Sequence, residues 1–356
     1  MKRNQLVYCP DWSRDNPYQK LLYKSISGIG VPCKGLQGKD FTFEWLFQNR
    51  QVVRFIHFHW LFGVYDPTNS GLDWKKARDF LLKILVARML GYKVFWTVHN
   101  FISHEPSHVE LEVFVRKNVA RLVNKLMVHC NYARDLVHDQ WGVNLSRIEV
   151  IPHGSYIGYY QNDASLEEAR TRLSLSQDDF IFLFFGMVRT YKGLKQLIES
   201  FGEVRDINPK AKLVIAGKPL NDAVKADIEA MTEGKGILTF LRFIPDDEVQ
   251  LFFNAANAVV LPYQNILTSG AALLALSFGK PIIIPSKGCI PELVNNQNGF
   301  PYGHDRELTE TMLRAARETD LAGLGKKAWQ TAEDLDWQLL ADKKYKPLLA
   351  EGLGNI

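Results

Sequence analysis

Six consecutive apolar residues, Phe180-Ile181-Phe182-Leu183-Phe184-Phe185, constrain the fold of this chain more than any other stretch. A run with no polar alternation reads as a strand buried on both faces, as in parallel sheets covered by helices. Gly186 ends the run, and a short turn carrying Arg189 and Lys192 follows. Leu194, Leu197, Ile198 and Phe201 then recur at the spacing of an amphipathic helix. Strand, cationic turn and helix start bring two side-chain cations and a helix N-terminus to one spot, where an anion is stabilised. Alone, the stretch fits an anion site and an ordinary βα turn with a solvated basic loop about equally well.

The same grammar repeats along the chain. Strands are predicted at 6–9, 52–58, 93–98, 125–130 and 148–152, and again at 180–185, 212–216, 238–243, 258–261 and 281–285. Helices are predicted at 19–27, 74–90 and 111–126, then at 193–205, 221–231, 246–254 and 269–278. Strands separated by helices argue for parallel sheets with helices on both faces. At 356 residues, two domains are the natural expectation. The capping pattern Ser165-Leu166-Glu167-Glu168 follows a weakly patterned stretch and marks the boundary. The expected architecture is α/β: two doubly wound, Rossmann-like domains, 1–160 and 161–335, facing a deep cleft, with a C-terminal helical segment, 336–356. Ligands of such sheets bind outside the carboxyl ends of the strands.

Composition narrows the function classes. Apolar residues at 46% and charged residues at 23% describe a globular chain, and a net charge of +4 is too small to argue for nucleic acid. No basic-aromatic module of the kind that grips single strands is present. Four cysteines without a close pair indicate neither a disulfide framework nor a zinc site, and reduced thiols in the cytoplasm are expected. The apolar run before Pro10 is too short for a signal peptide, and no window reaches the length of a spanning helix. Gly28-Ile29-Gly30 closes a helix and meets Cys33 where a dinucleotide fingerprint needs a third glycine, and no P-loop occurs.

Four strand-end loops carry candidate chemistry. Gly186, Arg189 and Lys192 form the first. The second is 262–270, where Thr268 or Ser269 caps a helix and Gly270 lets a ligand approach the first N–H groups. Together they make a diphosphate cradle that needs no metal; simple N-capping is the competing reading. His99 ends a strand in the first half, where a lone histidine is more often structural than catalytic. Phe243 and Ile244 lie at another strand end, where exposed backbone can meet the edge of a base.

Thr97-Val98-His99-Asn100, Ile151-Pro152-His153-Gly154, Phe185-Gly186 with Arg189 and Lys192-Gly193-Leu194, Ile215-Ala216-Gly217, 243–248 and 277–283 occur in one order. In that order they resemble the GT-B glycosyltransferases of the large retaining family 4, of the exopolysaccharide-assembly type. The whole chain looks like the cyanobacterial transferases that build heterocyst envelope polysaccharide. The resemblance implies transfer of a hexose, with retention, from a nucleotide-sugar donor (UDP-glucose, or alternatively GDP-mannose or UDP-glucuronate) to a saccharide or lipid-linked saccharide. It implies Lys192 on the diphosphate, His99 near the sugar and the backbone near Ile244 against the base, beside the loop candidates Arg189 on the diphosphate and Thr268, Ser269, Gly270, Gly186 and Phe243 around the donor. No cofactor or metal is expected. Trp12, Asn16, Tyr18 and His59 are the acceptor-side candidates.

Two departures stand out. The family's two glutamates, eight positions apart, are here Ile266 and Leu274, and the arginine that follows the glycine is Met187. Thr268, Ser269 and backbone amides are the expected substitutes, and a non-catalytic sugar-nucleotide-binding protein is the alternative. The cationic helices 74–90 and 111–126 are either ordinary solvated faces or a peripheral contact with the inner face of an anionic membrane presenting a lipid-diphosphate acceptor.

Overall fold

The computed structural model describes residues 3–66, 70–103, 108–189 and 192–353. Its contacts divide the chain into two units, Met1–Gly154 with Asp336–Ile356, and Ser155–Leu335.

The first unit holds a parallel sheet of β1 (Gln5–Cys9), β2 (Cys33–Gly35), β3 (Val53–Phe58), β4 (Lys93–Thr97), β5 (Lys125–Val128) and β6 (Ile148–Val150). Their spatial order is β2-β1-β3-β4-β5-β6. The second unit holds β7 (Phe180–Phe185), β8 (Ala211–Ala216), β9 (Ile237–Phe240), β10 (Ala258–Val260), β11 (Ile282–Pro285) and β12 (Gly299–Tyr302). Their order is β12-β11-β10-β7-β8-β9, also parallel throughout. Each sheet is doubly wound and Rossmann-like, and the direction of winding reverses between β1 and β3 in one and between β7 and β10 in the other. Such a switch point opens a crevice at the strand C-termini.

β7 shows why an unbroken apolar run is needed there. Successive side chains point to opposite faces of a strand. Ile181, Leu183 and Phe185 enter one core cluster with Val259, Leu261 and Leu274, whereas Phe182 and Phe184 enter the other with Leu197, Phe201 and Ile283. Both phenylalanines are fully buried, so truncating either to alanine costs about 3–5 kcal/mol. In the first unit, Trp337, Tyr345, Leu348 and Leu349 of the C-terminal segment pack into one cluster with Leu6, Tyr8 and Phe55. Asp336 caps the first of its helices, Trp337–Leu340, by accepting from the Leu339 N–H.

Most elements fall where the sequence places them, with shorter ends. β9 stops at Phe240, so Phe243 and Ile244 lie in the loop that follows and not on the strand. β2 and β12 and the helices Asn131–Trp141, Leu308–Ala316 and Leu321–Glu333 are additional to the sequence reading. Ser165 and Glu168 form the expected capping box on the helix Leu166–Arg172. Cys9 and Cys33 are free thiols.

Candidate functional site

In the second unit, the residues singled out in the first two loops gather at the switch point between β7 and β10. Gly186 leaves β7 with φ at 121°, and the Lys192 ammonium lies 3.4 Å from where a Gly186 Cβ would stand. The Lys192 Nζ is 6.0 Å from the ring centres of Phe184, on β7, and Tyr263, in the loop after β10. Gly193 sits at φ 73° as N-cap of the helix Leu194–Ile207, and a Cβ there would meet the Pro262 carbonyl at 1.9 Å. That close approach ties the two loops together and requires glycine. Gly217, after β8, has the same relation to the Gly186 carbonyl, at 2.0 Å.

Opposite Lys192, Ser269 caps the helix Gly270–Ser277. Its Oγ accepts from the Ala272 N–H at 3.0 Å and lies 3.2 Å from the Tyr263 hydroxyl. The Ser269 side chain is therefore buried and committed to the cap, and the positive end of the helix dipole at Gly270 is what this loop presents. Burial, with the nearby Arg189 charge second, lowers the Lys192 pKa to about 8. Arg189 lies beside Met187, its Nε 3.1 Å from the sulfur. Ile244 packs into the core, while Phe243 stands 69% exposed. Leu274 belongs to the core cluster and Ile266 packs against it, so the positions at which the resembled family carries acids here serve packing. Lys287, after β11, reaches the carbonyl of Gln264 at 3.5 Å and adds a cation beside this loop that the sequence reading did not single out.

In the first unit, His99 lies in a cluster of five histidines, of which His57, His59 and His99 are buried and His129 and His153 half-buried. His57 lies near the end of β3 and His59 just after it, and His99, His129 and His153 follow β4, β5 and β6. His59 Nδ1 is 3.0 Å from His99 Nε2, and His99 Nδ1 is 3.4 Å from His129 Nε2. His129 Nδ1 lies 2.9 Å from the Ile151 carbonyl. Trp60 stacks on the His99 ring at 4.4 Å, and the Tyr18 ring meets His99 edge-on at 4.9 Å. Burial pushes the pKa of every one of these imidazoles down, His129 to about 4 and His57 and His153 to about 3.

Of the acceptor-side candidates, Tyr18 and His59 are buried in this cluster. Asn16 caps the helix Pro17–Gly28 by accepting from the Tyr18 N–H at 3.0 Å. Trp12 stacks on Trp60 at 5.0 Å. His57, His129 and His153 were not picked out as site residues in the sequence. The signal was there nonetheless: histidines at the ends of four successive parallel strands line up along one sheet edge. Among the described residues, no group of three or more His, Cys, Asp or Glu side chains is arranged to hold a metal ion.

Residues 166–315 match the family model of the glycosyl transferases group 1. Over 336 residues the chain is 26% identical to the GDP-mannose:glycolipid 4-beta-D-mannosyltransferase of Xanthomonas campestris pv. campestris, covering 91% of this chain and 87% of that protein. Over residues 166–315 the chain is thus similar to the group 1 glycosyl transferases. Among solved structures, sucrose-phosphate synthase of Thermosynechococcus elongatus superposes with a TM-score of 0.76 at 14% identity, covering 98% of this chain and 99% of the other. Anabaena HepE in complex with UDP and glucose gives 0.75 at 14%, covering 97% and 98%. The fold is thus GT-B. No described helix is long and apolar enough to cross a membrane.

Proposed function

We propose that the chain transfers a hexose from a nucleoside-diphosphate sugar to a saccharide carried on a lipid. The observation that carries this reading is the convergence of Lys192, Gly186, Gly193 and the capped helix Gly270–Ser277 at the β7/β10 switch point. As the glycosidic bond breaks, charge develops on the leaving phosphate. Lys192, Arg189 and the helix N-terminus at Gly270 stabilise that charge without reorganising, with the Thr268–Gly270 backbone along the diphosphate. The side chain of Ser269 acts through the cap, and the loop with Phe243 and Ile244 meets the base. His99, with Tyr18, is assigned to the sugar, and Trp12, Asn16 and His59 to the acceptor. The positive charge comes from the chain itself, so the reaction proceeds without a metal.

The Xanthomonas relative, which aligns with most of this chain, is named for GDP-mannose and a glycolipid. That favours GDP-mannose over UDP-glucose as donor. A thermal-shift series with both sugars decides the base, because a ligand at a hundred times its Kd stabilises by about 2.7 kcal/mol. No shift with either sugar overturns the donor site.

Retention is the stereochemistry that the family resemblance implies. Inversion is a second reading, favoured by the β-linked product in the name of that relative and by Ile266 and Leu274 in place of acids. The anomeric coupling of the product, measured against that of the donor, separates the two.

The helices Trp74–Met89 and Val109–Leu122 support presentation of the acceptor at an anionic bilayer. Trp74 is 63% exposed and Met89 79%, and Trp74, Leu82, Leu85 and Phe114 surround a groove of about 660 Å³ also lined by Lys75 and Arg78. The first helix carries five cations against the single acid Asp79. Exposed apolar side chains among cations fit lipid headgroups and upper acyl chains. The protein should sediment with anionic vesicles at low salt and be released from neutral ones.

A further inference from the structure

The four histidines His57, His59, His99 and His129 use both ring nitrogens within one chain of contacts. It runs from Thr97 Oγ1 to His57 Nε2 at 2.8 Å, from His57 Nδ1 to the Tyr23 hydroxyl at 3.0 Å, and from that hydroxyl to His59 Nε2. It continues from His59 to His99, from His99 to His129, and ends on the Ile151 carbonyl. A carbonyl only accepts, so His129 must carry its proton on Nδ1. Its Nε2 then accepts, and His99 must donate from Nδ1. The argument propagates: His59 donates from Nδ1 to His99, Tyr23 donates to His59, His57 donates from Nδ1 to Tyr23, and Thr97 donates to His57. Only one orientation satisfies every link while all four rings are neutral.

We infer that this chain is a directional hydrogen-bond relay that fixes His99 as a neutral imidazole protonated at Nδ1, with His129 as its positioning residue. It is an orienting device and not a proton exit, because the Ile151 carbonyl takes up no proton. An added proton on any of the four rings makes that ring donate on both sides and reverses every link between it and Thr97; on His129 it reverses all of them up to Thr97. His99 then carries its proton on Nε2, and the Thr97 hydroxyl turns to the Met127 sulfur, 3.7 Å away. The groups facing His99 bring it no negative charge. They are His59, His129 and His153 at neighbouring strand ends, Tyr18 and Trp60 against its ring, and more distantly His57 and Arg116. Arg116 itself is paired with Glu112 at 2.6 Å. Burial keeps the cluster neutral across the physiological range.

The tautomer is directly observable by long-range ¹H–¹⁵N correlation of the ¹⁵N-histidine-labelled full chain without substrate. At pH 7.5, His57, His59, His99 and His129 are expected to show the Nδ1–H pattern and to hold it from pH 8 down to 5.5. His99 appearing as Nε2–H or as imidazolium in that range overturns the inference, whatever the variants do. His129→Gln places an acceptor near the lost Nε2 and should keep the His99 pattern. His129→Phe should let His99 revert to Nε2–H, and an unchanged His99 signal in that variant also overturns it. The kinetic arm rests on the proposed transfer reaction: His129→Phe should lose at least tenfold in kcat at unchanged donor KM, with His129→Gln restoring most of it. Because the spectra are taken without substrate, failure of the transferase reading and failure of the relay are distinguishable.

Discussion

Replacing Lys192 by methionine should make the protein more stable and inactive at once. In the folded chain the lysine titrates near 8, against 10.5 for the free side chain, chiefly because it is buried, with the Arg189 charge adding to the shift. That depression corresponds to about 3 kcal/mol against the charged form, and partial contact with water trims it to about 1–2 kcal/mol. The sign follows from linkage. Below about pH 8 the ammonium is charged in both states and the full penalty is present; between about 8 and 10.5 the unfolded chain still binds the proton that the folded chain has released. Wild-type stability therefore rises relative to Lys192→Met across that window. Methionine keeps the apolar stem against Phe184 and Tyr263 and removes the charge. At about 2–4 °C per kcal/mol for a unit of this size, the variant should melt about 2–8 °C higher at pH 7, with the gap closing toward pH 10.5. Hexose transfer should fall by ~10²–10³. A variant that melts lower at pH 7, or that transfers at the wild-type rate, refutes the assignment of Lys192 as a charge held in an unfavourable place for the diphosphate.

Other expectations follow from the same geometry. Gly193→Ala forces a Cβ onto the Pro262 carbonyl at a left-handed φ, so both folding yield and donor affinity should drop, as read by chemical denaturation and calorimetry. Ser269→Ala removes the cap on Gly270–Ser277 and should lower stability by about 1 kcal/mol, with weaker donor binding; unchanged affinity would separate the cap from the site. The histidine cluster is neutral when folded, while unfolded histidines take up protons below about 6.5. Stability should therefore decline as pH falls from about 6.5 toward 4, and a His129→Gln variant should lose less over that interval in acid denaturation curves. Chelation with EDTA should leave the transfer rate unchanged if Lys192, Arg189 and the helix N-terminus supply the charge.

Much of the second unit was legible because its signals are local. The run Phe180–Phe185 lies on β7 without a shift, and Gly186, Lys192, Gly193 and Ser269 stand where strand, turn and cap rules place them. β2 and β12 escaped because three or four residues rich in glycine and proline carry no period. The reading of 238–243 as strand ran too far, since Leu241 and Phe243 continue the apolar composition after the pairing with β8 has ended at Phe240. The histidine relay was hidden for a different reason. Its links join residues 22 to 40 positions apart, and only the order of strands in the sheet makes them neighbours. The roles of Ile266 and Leu274 likewise became plain only from the core they fill.

The most direct test of the proposed activity is transfer itself. Wild-type protein and Lys192→Met are incubated with GDP-[¹⁴C]mannose or UDP-[¹⁴C]glucose and a bacterial glycolipid extract, and label entering the organic phase is counted. Label carried into lipid from one of these donors by the wild type, and lost in the variant, is the predicted result. No label from either donor, under conditions in which the sugar nucleotide demonstrably binds, would contradict the assignment of the chain as a hexosyltransferase.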